Sequence, residues 1–198
     1  HPEQASRPFS TERTGLVLGE GAAFLMLESL EAAQARGARI YAELAGSGLS
    51  CDASHLTKPD ASGQVKALLA ALKSSGLAPR DIGYCNAHGT ATLAGDTVEC
   101  EALKRVWGEN LQYLQVSSSK SMHGHLLGAA GALEAAITAL AVYRGALPPN
   151  MHCESQDPAC DVPLVREADT WAPDLRAAIS NSFAFGGTNA VLVFRKVE

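Results

Sequence analysis

Apolar positions along the chain change period several times, and each change predicts an element. Residues 15–27 (GLVLGEGAAFLML) are apolar and broken by glycines, which predicts one or two buried strands. Residues 29–36 read as a short helix closed by Gly37. Residues 38–50 alternate well enough for a strand, and 55–62 form a polar loop. Val65, Leu68, Leu69 and Leu72 fall at i, i+3, i+4 and i+7, so 63–75 reads as an amphipathic helix ended by Gly76. A short strand over 82–86 and a loop over 87–95 follow. Asp96 with Glu99 three residues on is a capping-box pattern, predicting a helix that starts there and runs to Trp107 before Gly108. Next come a strand over 114–118, a loop over 120–124 and a buried helix over 125–143. The segment 145–175 carries many prolines and little periodicity. A strand over 177–182, a turn over 183–188 and a closing strand over 189–197 complete the chain. Strands alternating with helices predict an α/β sheet covered by helices on its faces. The short last turn makes the final two strands antiparallel.

The run 126–142 is almost wholly apolar and nearly long enough to span a bilayer. Gly128, Gly131, Glu134 and Thr138 interrupt it, and a Glu at the centre of a membrane helix costs roughly 2.5–3.5 kcal/mol. A helix buried on all sides within a water-soluble protein is the expectation, with no membrane partner.

Composition fits that picture. Of 198 residues, 46% are hydrophobic and 19% charged, enough to bury a core without a metal or disulfide staple. The net charge of −5 and the lack of any basic run argue against a nucleic-acid partner. Cys51, Cys85, Cys100, Cys153 and Cys160 are odd in number, irregularly spaced and without a CxxC pair. That excludes a disulfide framework and points to a reducing, cytoplasmic setting. The first residue is His1 rather than Met and no signal-peptide pattern opens the chain, which reads as a trimmed or processed start.

Three polar clusters sit where predicted strands end, the usual place for sites in α/β proteins. They are His88-Gly89-Thr90-Ala91-Thr92, Ser117 to His125 (SSSKSMHGH), and Asn181 to Asn189 (NSFAFGGTN). Singly, each could be an ordinary strand end, loop or turn. Together they bring two histidine-bearing loops and an aromatic-glycine loop to one edge. His125 is expected at the N-terminus of the buried helix, where the dipole favours neutral imidazole and an anion nearby. Two neutral histidines donating N–H to one oxyanion make an electrostatic catalyst. The rival is a metal shell from His123 and His125 with His88, Cys85 or Asp96, but no HExxH or CxxC spacing supports it, and no metal is expected. Gly15, Gly19 and Gly21 do not spell GxGxxG, and no P-loop occurs, so a nucleotide enzyme has little support.

The motifs Asn86-Ala87-His88-Gly89-Thr90, Lys120 to Gly131 (KSMHGHLLGAAG) and Asn181 to Asn189, in this order and spacing, resemble the elongating β-ketoacyl-(acyl carrier protein) synthases. The segment from Arg7-Pro8-Phe9 through Gly15 and Gly21 looks like the same family's mid-chain, so the resemblance covers essentially all of the chain, and LLGAAG is closer to the discrete synthases of type II systems. It implies a thiolase-like layered α/β fold, with 1–37 the tail of an N-terminal half and 38–198 the C-terminal half. It implies decarboxylative Claisen condensation of an acyl thioester with malonyl-ACP, in fatty acid or polyketide elongation. His88 and His125 would stabilise the thioester-derived and enolate oxygens. Lys120 would support them electrostatically, with Glu134 as its partner and Asp96 in support. Thr90, Thr92 and Thr57 would bind the pantetheine arm. Phe183, Phe185, Gly186 and Gly187 would form a gate. No resident cofactor is implied, since 4'-phosphopantetheine arrives on the carrier protein. The partners implied are acyl carrier protein and a second copy in a homodimer, or the missing N-terminal half.

Departures from the family pattern are His123 for Thr, Ala184 for Gly, and Ala91 and Leu93 for Ser and Pro. Ala184 is expected to stiffen the gate if that position needs positive φ. His123 is expected to alter chain-length selectivity and pH response. The family's nucleophilic cysteine lies in a segment with no counterpart here, so this chain alone is expected to be inactive, and 8–40 to leave unpaired edges or apolar surface exposed. Alternatives are a non-catalytic partner like the chain-length factors, or a thiolase-type enzyme using CoA.

Overall fold

The computed structural model describes residues 2–168 and 170–197; His1, read above as a processed start, lies outside the described residues, as do Asp169 and Glu198. Five strands form one mixed sheet: β1 (Glu43–Cys51), β2 (Tyr84–Asn86), β3 (Gln115–Ser117), β6 (Ala177–Phe183) and β7 (Thr188–Arg195). Their order is β1-β7-β6-β2-β3, with β7 antiparallel to both β1 and β6, and β6, β2 and β3 parallel. The final hairpin is antiparallel, as the short turn requires. In the prolyl segment β4 (Ala146–Leu147) pairs with β5 (Thr170–Trp171) as a small ribbon.

Helices cover both faces. On one, α2 (Ala61–Ser75) and α3 (Leu93–Trp107) close a core that includes Leu68, Leu72, Leu103, Trp107, Ile179 and Val193. On the other, α5 (Ala130–Arg144) packs on β6, β7 and β2, joining Ala135, Val142, Tyr84 and Phe194. Helix α2 begins two residues before the expected start, with Asp60 as N-cap accepting from Ser62 N–H, and Gly76 closes it in the left-handed region. Its buried face keeps Leu68 and Leu72 of the expected stripe but is rotated from it: Gly63, Ala67 and Ala71 also face inward while Leu69 is exposed. Small residues are needed there because the helix lies on β1 at Gly48, where a Cβ would come 2.0 Å from the Ala67 carbonyl oxygen.

Several expectations change. Residues 15–27 are not buried strands: Phe24 is 95% and Met26 89% exposed, and the sheet ends at β1 without using them. Within that segment only Leu18 makes a bridge, parallel to His125. Helix α1 (Leu30–Ala35) is capped by Ser29 as expected. The following strand starts at Glu43 rather than at 38. Asp96 and Glu99 do not cap α3, whose N-cap is Thr92; both carboxylates turn back onto the preceding loop and the arm. The expected loop over 120–124 contains a one-turn helix, α4 (Lys120–His123). Leu127–Ala129 is a 3-10 turn and α5 opens only at Ala130, so His125 does not stand at its N-terminus. Nor is that helix buried all round. The stretch Leu127–Arg144 meets the length and hydropathy of a membrane span, yet it turns Glu134, Ala135, Thr138 and Val142 into the protein and leaves the opposite side half-open.

Candidate active site

The C-terminal end of the parallel strands carries the site. After β2, the loop 87–92 turns back sharply, with Ala91 at φ 65 although it has a side chain. A left-handed alanine is strained and must be held. Asp96 holds it: one carboxylate oxygen accepts Ala91 N–H at 3.1 Å and the other accepts Phe9 N–H at 2.8 Å, Phe9 being a second non-glycine residue at φ 65. One buried carboxylate therefore fixes two strained backbone positions 82 residues apart. Arg13 Nε lies 3.8 Å from Asp96, and burial raises the Asp96 pKa to about 7.

Glu99, one turn further along α3, sets His88. Its oxygens accept His88 N–H at 2.9 Å, Gly89 N–H at 2.8 Å and the Asn181 side-chain amide at 2.9 Å. Burial raises its pKa. Gly89 has no room for a side chain, since a Cβ would sit 2.6 Å from Ser118 Cβ and 3.0 Å from the Phe9 ring. That close approach lets Ser118 Oγ donate to Gly89 O at 2.7 Å and joins the two histidine loops.

The second loop is pinned by two asparagines. Asn86 Oδ1 accepts from Ser119 N–H and Oγ at 3.3 and 3.2 Å, and Asn150 bridges Ser118 N–H to the Pro8 carbonyl. The arm fixes His125 from the other side: His125 N–H donates to Val17 O at 2.7 Å and Gly19 N–H donates to His125 O at 3.0 Å.

These constraints bring His88 and His125 together edge to face, ring centroids 5.3 Å apart, with Phe183 6.1 Å from His88. Lys120 lies fully buried beside them and forms an ion pair with the equally buried Glu134. Burial first, and the Lys120 charge second, hold the His88 imidazole neutral well below its ordinary pKa. The same causes bring His125 down to about 4. His125 Nδ1 accepts Leu127 N–H at 3.2 Å, so its proton resides on Nε2. Burial raises Glu134 to about 7 while Lys120 opposes the rise. The neutral state thus comes from burial and a neighbouring cation rather than from a helix dipole.

A pH prediction follows. The unfolded ring takes up a proton near its ordinary value of about 6.5, whereas the folded ring resists until about 4. Stability from the neutral ring is therefore present above about 6.5 and is lost as pH falls toward 4. An NMR titration of the His125 ring is expected to show its midpoint near 4; a midpoint at the ordinary value would contradict the burial argument.

Other predicted residues fall in two groups. Thr90 and Thr92 sit at the loop with hydroxyls 3.0 Å apart. Thr57 is exposed on a separate loop, its N–H on His55 Nδ1. Phe183 is the buried last residue of β6 rather than part of the turn. Phe185 is 70% exposed, and Gly186 and Gly187 adopt φ 77 and 76. Ala184 is extended at φ −108, so its Cβ imposes no strain and the expected stiffening does not arise. His123 is engaged locally, Nδ1 against Gly124 O at 2.8 Å and Nε2 against Ser119 Oγ at 3.1 Å, with burial lowering its pKa. Among the described residues no three His, Cys, Asp or Glu side chains converge as a metal shell would require. Sequence reasoning missed Glu99 as the residue that sets His88, and missed Asn86, Asn150 and Arg13; only the capping pattern drew attention to position 99.

Among the described residues no hydrogen bond joins a cysteine to either imidazole. Cys51 Sγ faces Gly186 O, Cys85 Sγ accepts from the Asn181 amide, Cys160 Sγ lies 3.9 Å from Thr97 Oγ1, and Cys100 and Cys153 are buried. The centre brings together two neutral imidazoles and a buried cation.

Comparison with known proteins gives one answer. Residues 41–154 match the family model for the beta-ketoacyl synthase, C-terminal domain. A 3-oxoacyl-[acyl-carrier-protein] synthase 2 of Staphylococcus aureus (strain COL) is 49% identical over 199 residues, covering 99% of this chain and 48% of the relative. The synthase 2 of Synechocystis sp. (strain ATCC 27184 / PCC 6803 / Kazusa) is 46% identical, covering 100% and 48%. Among solved structures, the ishigamide ketosynthase/chain length factor superposes with TM-score 0.94 at 42% identity, covering 98% of this chain and 47% of that one. A type II PKS ketosynthase bound to the hexaketide, in complex with its acyl-carrier protein, superposes with TM-score 0.95 at 36% identity, covering 99% and 48%. The chain spans about half the length of the curated relatives it matches.

Proposed function

This chain belongs to the β-ketoacyl synthase family, and on that premise we propose that it supplies the oxyanion-stabilising half of a 3-oxoacyl-ACP synthase site. The observation that carries the reading is the pair of neutral imidazoles 5.3 Å apart beside a buried Lys120–Glu134 ion pair. An acyl group is held as a thioester on a cysteine from outside these residues. Malonyl-ACP loses CO₂, its enolate carbon attacks the thioester carbonyl, and the tetrahedral adduct collapses by breaking the C–S bond, expelling the cysteine thiolate and leaving 3-oxoacyl-ACP. Both steps place negative charge on oxygen, and two preorganised N–H donors in a water-poor site stabilise it. Burial, with the Lys120 charge beside it, keeps both rings unprotonated, so that they donate without forming an ion pair with the enolate. Thr90 and Thr92 bind the pantetheine arm, Thr57 contacts it from its own loop, and Phe183, Phe185, Gly186 and Gly187 gate the entrance. No resident cofactor is needed. The protein works in the cytoplasm with acyl carrier protein as partner, within a homodimer.

Exposed Leu18, Phe24, Met26 and Leu27 on the arm, with the half-open side of α5, form the surface that the complementary half covers. A thiolase-type reaction with CoA has less support, because it calls for a second cysteine near a single histidine and the centre offers two imidazoles. A purely non-catalytic partner would have no use for both imidazoles and the buried cation.

The test uses acyl-ACP and malonyl-ACP with mass-spectrometric detection of 3-oxoacyl product. The 198 residues alone are expected to give none, and addition of a polypeptide bearing the N-terminal half of a relative is expected to restore it. Product from the chain alone would refute the missing-nucleophile reading. In the restored enzyme, His123→Thr is expected to shift the product length distribution.

A further inference from the structure

Arg13 takes no part in the reaction as described, yet its side chain is buried and fully engaged. A guanidinium carries five N–H donors. Nε donates to Thr92 O at 3.4 Å, Nη1 to Ser10 O at 2.8 Å and Asp157 Oδ2 at 2.7 Å, and Nη2 to Leu93 O and Thr97 Oγ1, both at 3.1 Å. Thr92, Leu93 and Thr97 are the N-cap and early residues of α3. A cation at this end of a helix is opposed by the helix dipole, so helix stability does not account for it. Asp157 and, at 3.8 Å, Asp96 offset the charge. What the fork holds is the backbone that carries Thr92. An N-cap threonine ordinarily turns its hydroxyl onto N–H groups of the first turn, but Thr92 makes no such bond. Its Oγ1 lies 3.0 Å from Thr90 Oγ1 instead. Gly95 leaves the space for it, since a Cβ there would come 2.4 Å from Thr92 Oγ1. The hydroxyl that would have capped the helix is thereby paired with Thr90, while Arg13, from 79 residues away, bonds the Thr92 carbonyl.

We propose that Arg13 is a positioning residue for substrate binding: through the Thr92 and Leu93 carbonyls it sets where the Thr90–Thr92 hydroxyl pair stands, and so how tightly the pantetheine thioester is held on its way to the imidazoles. The proposal rests on the reading of Thr90 and Thr92 as contacts to that arm. Its effect is confined to binding, because the five acceptors include no atom of His88, His125 or Glu99. Lysine at this position keeps the charge beside Asp96 and Asp157 but loses the fork. Its ammonium has three donors on one atom and does not span two carbonyls, a hydroxyl and a carboxylate together. Arg13→Lys therefore separates position from charge. Asp157→Asn loosens the same side chain from outside the site. It keeps an oxygen for Ala159 N–H and places an amide N–H₂ where Oδ2 accepts from Arg13.

The test measures steady-state kinetics of the restored enzyme with malonyl-ACP varied. Arg13→Lys is expected to raise KM about tenfold, the scale of one hydrogen bond lost to the arm, with kcat within about twofold. Asp157→Asn is expected to move KM the same way by a smaller factor. Thr92→Val is expected to raise KM as Arg13→Lys does, and the double variant to be no worse than either single one, since Arg13 acts through Thr92. An unchanged KM, or Arg13→Lys and Thr92→Val effects that multiply, would overturn the proposal. So would a fall in kcat alone, which is what a merely structural role gives through loss of folded enzyme. Restored wild type that makes no product sinks the condensation reading instead, and the position is then read in the 198-residue chain itself. In a methyl NMR spectrum Arg13→Lys is expected to shift the Thr90 and Thr92 signals and to leave those of the core residues Val191 and Val193 in place. Unmoved threonine methyls would overturn the proposal by themselves.

Discussion

His125→Ala in the restored enzyme is expected to lower kcat by about 10²–10³-fold, the cost of roughly 2.7–4 kcal/mol for losing one preorganised donor to an oxyanion. His88→Ala is expected to cost a similar factor. The two changes are informative because the backbone is held independently of the rings. Glu99 accepts the His88 and Gly89 N–H groups, and Val17 and Gly19 bond the His125 backbone, all of which alanine leaves intact. Loss of turnover at unchanged thermal midpoint therefore reports chemistry rather than collapse of the loop. His125→Gln, which keeps an N–H donor, is expected to recover part of the rate. Full activity in either alanine variant would remove the imidazole pair from the mechanism.

Lys120→Met is expected to cost about 3–5 kcal/mol of stability, because it leaves Glu134 buried without its countercharge. The cost depends on pH with a definite sign. Glu134 already sits near 7 in the folded protein against an ordinary 4.5, so the folded state binds its proton more readily than the unfolded chain does. Stability from this group is fully present below about 4.5 and is lost as pH rises through the folded value. Without Lys120 that value climbs further, so the variant is expected to be much less impaired in denaturation at pH 5 than at pH 8. Lys120→Met with Glu134→Leu is expected to regain stability, as replacement of buried ion pairs by apolar residues often does, yet not activity. The imidazoles would have lost the cation that helps to keep them neutral. An Lys120→Met variant equally stable at both pH values would show that the pair is not coupled as described.

How much of this was legible in the sequence differs by element. Helix α2 and its Gly76 stop were legible because periodicity and capping are local, and so was the burial of Leu68 and Leu72, but the inward turn of Ala67 and Ala71 was not, since only the glycines of β1 require alanines against them. The strands β2, β3, β6 and β7 were legible from short apolar runs between turn residues. The segment 15–27 looks the same in sequence and yet is exposed, because an apolar run states a need for a partner and not the presence of one. The pair Asp96 and Glu99 has the spacing of a cap. Its true partners, Phe9 and Asn181, are 87 and 82 residues away, and no local rule reaches that far.

The three loop motifs, their order and the residue types needed for oxyanion chemistry are properties of the sequence by itself, as is the family it resembles. Lys120 and Glu134 as partners were also inferable from it. The tertiary structure alone decided why the histidines are neutral. His125 does not sit at a helix N-terminus; burial and the Lys120 charge set its proton affinity, and both depend on what the fold packs around a ring rather than on what precedes it in the chain. The fold alone also decided that Ala184 is unstrained and that Ala91 and Phe9 share one carboxylate. Each of these is a contact between segments distant in sequence, fixed only when the sheet and its covering helices close.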